Sequence, residues 1–320
     1  MVIIYISSLL CTIIFMRCFI SFLNNKKEIR SDEKIDSIKK PCIKELHKNK
    51  LGTPTMGGVV MNSVLLIMSI VYYLLNREIL WVNIFILLFG MMGFVDDYIK
   101  VRKVRDGVTP KEKLIGLTII STAFILFLMY TNNINTDILI PFIEGTAKLN
   151  TIVYSIFMII LLVGTTNSIN ITDGLDGLVL GISIIVLTFI AIIAWQTNNA
   201  EILYSALVIQ STCIGSLIFN KYPAKIFMGD TGALFLGGAI SIFMIKLRIP
   251  LWILIVLIPC LWNTLTVIIQ LTSLKFSGKK VFKIAPYHHH LEKCGWKETK
   301  IVYSFWLSTA VMCAVGYIAL

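Results

Sequence analysis

Charge is scarce in this chain. Asp, Glu, Lys and Arg together make up 15% of its 320 residues, and no polar block is long enough to form a separate soluble domain. That excludes an ordinary water-soluble globular protein. Seven cysteines at positions 11, 18, 42, 213, 260, 294 and 313 include no C-x-x-C pair, so neither a disulfide framework nor a zinc ribbon is encoded. No repeat of fixed period and no low-complexity tract is present, which argues against the duplicated halves common in secondary transporters. Histidine is rarer still, with three of its four copies consecutive at 288–290.

What fills the chain is apolar sequence: 57% hydrophobic residues and a mean hydropathy of +0.82. Ten segments account for nearly all of it, at about 1–23, 55–76, 79–95, 113–130, 150–168, 178–195, 201–219, 232–247, 251–273 and 301–320. Stretches of ~20 apolar residues suit helices that satisfy their own backbone in hydrocarbon, not the ~10-residue alternating strands of a barrel. The expected fold is an all-α polytopic membrane protein, one domain over 1–320. The first segment lacks a basic n-region and a convincing cleavage site, and is read as a retained span.

Basic residues give the orientation. The loops after odd-numbered segments carry 9, 6, 0, 2 and 7 Lys or Arg, 24 of the 29 in the chain, so these loops are expected in the cytoplasm and both termini outside. Trp81, Trp195 and Trp252 fall at the expected outer ends, as interfacial anchors would. The net charge of +11 is then explained by topology and by attraction to anionic lipid, without nucleic acid.

The same loops hold the chemistry. In GFVDDYIK, Asp96 and Asp97 end the third segment and Lys100 follows on the same helical side, a grouping suited to a phosphate and a divalent cation, or to a charge cluster that terminates a helix. The loop NSINITDGLDGL has no Lys or Arg, so topology does not explain its polarity; Asn170, Asp173 and Asp176 supply hydrogen-bonding groups and Gly174 permits close approach. Capping of the next helix accounts for one acid but not the string. In FNKYPAKIFMGDTGAL, Asp230 precedes an apolar span, where metal and phosphate chemistry often meet a helix N-terminus. Phe227 suits stacking on a flat ring, or packing. The histidines lie in a basic loop with no H-E-x-x-H arrangement and suit phosphate better than zinc.

GTPTMGG (52–58), GFVDDYIKV (93–101), NITDGLDGL (170–178), FMGDTGAL (227–234) and APYHHHLEKCGWKETKIVYSFW (285–306) resemble, in order, the signatures of the phospho-N-acetylmuramoyl-pentapeptide transferase family, a branch of the polyprenyl-phosphate N-acetylhexosamine-1-phosphate transferases. The resemblance implies transfer of phospho-N-acetylmuramoyl-pentapeptide from UDP to undecaprenyl phosphate, giving lipid I and UMP, with Mg²⁺ and a homodimeric assembly. It implies Asp96, Asp97, Asp230 and His288 as catalytic, with Asp230 the metal ligand and Asp96 engaging the lipid phosphate. Lys100 would contact phosphate, and Lys50, Thr55, Asn170, Asp173, Gly174, Leu175, Asp176, Asn220, Phe227, His289 and His290 would bind substrate. A related enzyme using UDP-N-acetylglucosamine, and a cation-coupled transporter, are the alternatives; a transporter would place its acids near the bilayer midplane. Two stretches depart from the family. CIKELHKNK (42–50) keeps His47 and Lys50 but lacks the usual Gly-Pro, and Asn263 opens NTLTVIIQ where family members commonly carry Glu.

Overall fold

The computed structural model describes residues 1–25, 52–102 and 107–320. Among them nine helices are long and apolar enough to cross a membrane, or ten if one bent pair counts as a span. The α-helices in chain order are α1 (Val2–Asn25), α2 (Gly58–Asn76), α3 (Trp81–Val101), α4 (Pro110–Tyr130), α5 (Thr151–Thr172), α6 (Leu178–Gln196), α7 (Ala200–Asn220) and α8 (Gly229–Lys246), then the bent pair α9 (Ile253–Val256) and α10 (Ile258–Ser277), the short α11 (Tyr287–Lys293), which is not a span, and finally α12 (Glu298–Ile318). A two-stranded antiparallel hairpin, β1 (Asp137–Leu139) with β2 (Thr146–Lys148), lies in the connection between α4 and α5 and was not foreseen.

The helices outrun their apolar segments at the polar end. α3 continues through Asp96 and Asp97 to Val101, α4 begins before Lys113 at Pro110, and α5 runs on to Thr172. A hydropathy boundary stops at the first charge, whereas a helix continues wherever its polar side chains find partners. Thr109 starts α4 with a capping box in which its hydroxyl accepts from the Glu112 N–H and the Glu112 carboxylate accepts from the Thr109 N–H.

The ninth segment, expected as one continuous helix, is broken. A 3₁₀ turn (Pro250–Trp252) leads into α9, and α10 departs at 78° to that piece. Pro259, near the start of α10, has no N–H to continue the preceding ladder and its ring obstructs the carbonyl one turn back. Trp252 is also not an interfacial anchor: it is 1% exposed and its indole N–H donates to Gly316 O at 2.7 Å, so the ring packs inside instead of lying at a surface. Trp81 and Trp195 are exposed, as anchors require.

α8 is the buried axis of the bundle, packed against α2, α3, α5 and α6. Its N-terminal end is approached closely from two sides. A Cβ on Gly58 would fall 2.1 Å from Gly232 N, and one on Gly93 would fall 2.2 Å from Asp230 O. The hydrogen is therefore what lets α2 and α3 reach the backbone of α8, a main-chain contact that no side-chain rotamer change can relieve. Gly93→Val should force α3 from α8 and lower stability by about 1–3 kcal/mol, the usual range for overpacking; thermal unfolding in detergent measures it, and an unchanged midpoint would show that this approach is not tight.

Candidate active site

Each end of a helix leaves backbone groups without intrahelical partners. At the start of α8, Met228 offers no capping side chain, and the cap arrives from another helix. Asp97, 3% exposed on α3, accepts from Asp230 N at 3.1 Å through Oδ1, and from Thr231 N at 2.9 Å and Thr231 Oγ1 at 2.6 Å through Oδ2. Its negative charge faces the positive end of the α8 dipole, a favourable placement. Gly229 has φ +71°, and a Cβ there would fall 2.5 Å from Asp97 Oδ2. Asp97 thus fixes where Asp230 begins, with three donors on its two oxygens.

Asp96 is turned about 100° from Asp97 on the same helix and meets a different environment. Its Oδ2 accepts from Lys100 Nζ at 3.0 Å and Lys113 Nζ at 3.1 Å, and its Oδ1 from Val108 N at 2.6 Å. Asp230 Oδ2 accepts from the same two ammonium groups, at 2.7 Å from Lys100 and 2.8 Å from Lys113. Asn170 closes the cluster, its Nδ2 donating to Asp230 Oδ1 at 2.7 Å while its Oδ1 accepts from Lys113 Nζ at 3.2 Å. Two carboxylates and two ammonium groups from α3, α4 and α8 compensate one another, with α5 supplying the amide. Removing Lys113 or Asp96, the two more buried members, would leave a desolvated charge without its partner.

The DGLDG turn after α5 is tied to the segment after α7. Asp176 Oδ2 accepts from Ala224 N at 2.9 Å, its own N–H donates to Glu298 Oε1 at 2.7 Å, and Asn220 links Gly177 N (2.9 Å, accepting) to Ile226 O (2.8 Å, donating). Asp173 and Asp176 lie in a turn, with Asp173 at the C-cap of α5 and Leu175 buried. Phe227 is not helical. Its N–H donates to Pro54 O at 2.8 Å and its carbonyl accepts from Gly57 N at 2.9 Å, so GTPTMGG, with Thr55 half-buried, lines the entry to α8.

The histidine loop joins from the other side. Gln270 on α10 pins its start by accepting from Val281 N at 3.1 Å and Phe282 N at 2.9 Å. The three imidazoles diverge on α11, as neighbours on a helix must. His288 is fully buried, and a Cβ on Gly174 would lie 2.3 Å from its Nε2, so the glycine makes room for the ring. His289 Nδ1 lies 2.6 Å from Glu292 Oε2, and the His288 and His289 rings are 4.2 Å apart. His290 stacks on Tyr287, meets Phe282 edge-on and accepts from Lys283 N at 3.1 Å.

Of the residues expected from sequence, Asp96, Lys100, Asn170 and Asp230 share one hydrogen-bonded cluster, Asp97 is joined to it through the α8 backbone, and Gly174 meets His288. Lys50 lies outside the described residues. Lys113, Glu292 and Glu298 were missed as site residues. Lys113 was counted only as a topological charge, although a lysine at the start of an apolar span needs a buried partner; the two glutamates stood unread inside the quoted histidine motif.

An all-helical membrane bundle with acids, lysines and amides gathered at one end defines the class. Residues 79–248 match the profile of glycosyl transferase family 4. The chain is 42% identical over 279 residues to the phospho-N-acetylmuramoyl-pentapeptide-transferase of Acetivibrio thermocellus, covering 86% of this chain and 83% of that one. It is 44% identical over 280 residues to that of Clostridium beijerinckii (86% and 84%) and 39% over 276 residues to that of Bacillus licheniformis (84% of each). The chain belongs to the phospho-N-acetylmuramoyl-pentapeptide-transferase family.

Asp97→Asn leaves one acceptor oxygen for three donors, and should lower stability by about 1–3 kcal/mol, the cost of an unsatisfied buried group. Thermal unfolding checks this, and a variant as stable as the parent would remove the clamp.

Proposed function

We infer that the chain is the transferase that moves phospho-N-acetylmuramoyl-pentapeptide from its UDP carrier to undecaprenyl phosphate, releasing UMP and forming lipid I in the bacterial cytoplasmic membrane. One observation carries the reading to these residues: the Asp96–Lys100–Lys113–Asn170–Asp230 cluster at the end of a membrane bundle. An oxygen of the lipid phosphate forms a bond to the sugar-linked phosphorus, the bond from that phosphorus to the bridging oxygen breaks, and UMP leaves. Two anions must be brought together, so the task is alignment and charge compensation.

Lys100 and Lys113 supply positive charge where the two phosphates meet. They are held in place beforehand by Asp96 and Asp230, which reduces reorganisation when substrate arrives. Asp96 takes the proton of the lipid phosphate if that group enters protonated, the step bottom-up chemistry asks of a carboxylate in this position. Asp97 acts at one remove by setting the position of Asp230. His288 and His289 face the diphosphate, with His290 at the rim of that loop. Thr55, Phe227, Asp173, Gly174 and Leu175 receive the nucleoside, with Phe227 stacking on the uracil. Asp176 and Asn220 shape that pocket by holding the DGLDG turn to residues 224–226. Lys50 completes the substrate-binding set.

Magnesium suits this donor set. Asp96, Asp230 and Asn170 present hard oxygen atoms, with Asp230 the principal ligand, and Mg²⁺ sites usually combine one or two carboxylates with substrate phosphates and water. Among the described residues no group of three or more His, Cys, Asp or Glu side chains is placed to hold a metal ion by itself. When bound, the ion would neutralise charge on the diphosphate.

The loops after odd-numbered apolar segments open to the cytoplasm in this reading, since UDP-sugars reside there. A reporter fused after residue 280 should lie inside, and an external signal would reverse the orientation. Purified protein with undecaprenyl phosphate should release UMP from UDP-N-acetylmuramoyl-pentapeptide and not from UDP-N-acetylglucosamine, while Asp230→Asn should abolish turnover in a folded protein. Release from the second sugar alone would assign the chain to the related transferases. Phe227→Ala should weaken UDP-sugar binding by about 1–3 kcal/mol, the range for base stacking; unchanged affinity would make Phe227 a packing residue.

A further inference from the structure

Asn263 stands where family members commonly carry Glu, and its side chain is fully buried on α10. An amide in that setting must satisfy its groups within the protein. Its Oδ1 lies 3.2 Å from His288 N and 3.2 Å from His288 Nδ1, and its Nδ2 donates to Thr172 Oγ1 at 3.3 Å. Thr172 Oγ1 in turn donates to Ser168 O at 2.8 Å.

The direction of this chain of bonds is determined at both ends. The His288 backbone N–H can only donate, so the amide atom facing it is the oxygen. The Thr172 hydroxyl spends its proton on Ser168 O, so it accepts from the amide nitrogen. An amide oxygen only accepts, and the imidazole nitrogen facing it must therefore carry a proton. In the neutral ring that leaves Nε2 without one. Nε2 is the nitrogen turned to Gly174, in the DGLDG turn.

We propose that Asn263 is a positioning residue that holds His288 as the Nδ1–H tautomer, so that the nitrogen turned to Gly174 of the DGLDG turn, Nε2, is the proton-accepting one. The proposal rests on the reading of His288 as part of the site. An amide fixes the tautomer without adding charge, which a carboxylate at the same position would not do.

The full chain, purified in detergent with histidine labelled by ¹⁵N in the ring, reports the tautomer directly through long-range ¹H–¹⁵N correlation, with His288→Gln used to assign the signal. The neutral His288 ring should carry its proton on Nδ1; a proton on Nε2 overturns the proposal without need of any further variant. Asn263→Asp keeps an acceptor oxygen and should keep the tautomer and most of the rate. Asn263→Leu should shift the proton to Nε2 and lower kcat for UMP release by about tenfold or more, as loss of an orienting partner does elsewhere, with little change in KM for the UDP-sugar. An Asn263→Leu protein with its signal or its kcat unchanged would also overturn it. Failure of the wild-type chain to release UMP would instead sink the reading of the activity, whatever the spectrum shows.

Discussion

A carboxylate on one helix capping the start of another is the contact on which the rest of the site depends. Asp97 gathers the first free N–H groups of α8 and the Thr231 hydroxyl, and thereby sets both the height and the rotation of the most buried helix. Gly93 and Gly58 matter for the same reason, since they let α3 and α2 come close enough for that cap to form. A charge this deep is costly unless donors meet it, and here three do, one on Oδ1 and two on Oδ2. Position and desolvation are solved together.

Adjacent acids have thereby taken different work. Asp97 is bound into the fold, while Asp96, one residue earlier, shares two lysines with Asp230. The cluster is balanced in charge, so it can persist at the end of a bundle. Lys100 is the more open, 39% exposed against 13% for Lys113, which leaves Lys100 nearer the surface and Lys113 deeper. The histidine loop is built on another principle. Its rings are oriented by Asn263 and Glu292, partners outside the acid motifs that were weighed in the sequence.

The sequence made the class plain because lipid imposes one rule on every span: a backbone that bonds to itself across ~20 apolar residues. Span number, the gathering of motif acids between odd and even segments, and the family all followed from local pattern. Where local pattern misled, a long-range partner was responsible. α3 and α4 extend past their apolar limits because Asp96, Lys100 and Lys113 neutralise one another; Trp252 is buried because Gly316, far along the chain, accepts its N–H; and the ninth span bends at Pro259, visible in the sequence but not decisive, since helices with proline also cross membranes.

Composition and motif order by themselves determined that this is a multi-pass membrane transferase and singled out Asp96, Asn170, Asp230 and the histidines as polar groups between its spans, since hydropathy and motif spacing are properties of the chain alone. Tertiary structure alone decided how those groups are used. Whether an aspartate caps a helix, pairs with a lysine or ties down a turn depends on which donors lie within about 3 Å of its oxygens, and for Asp97, Asp96 and Asp176 those donors come from residues 134, 17 and 48 positions away.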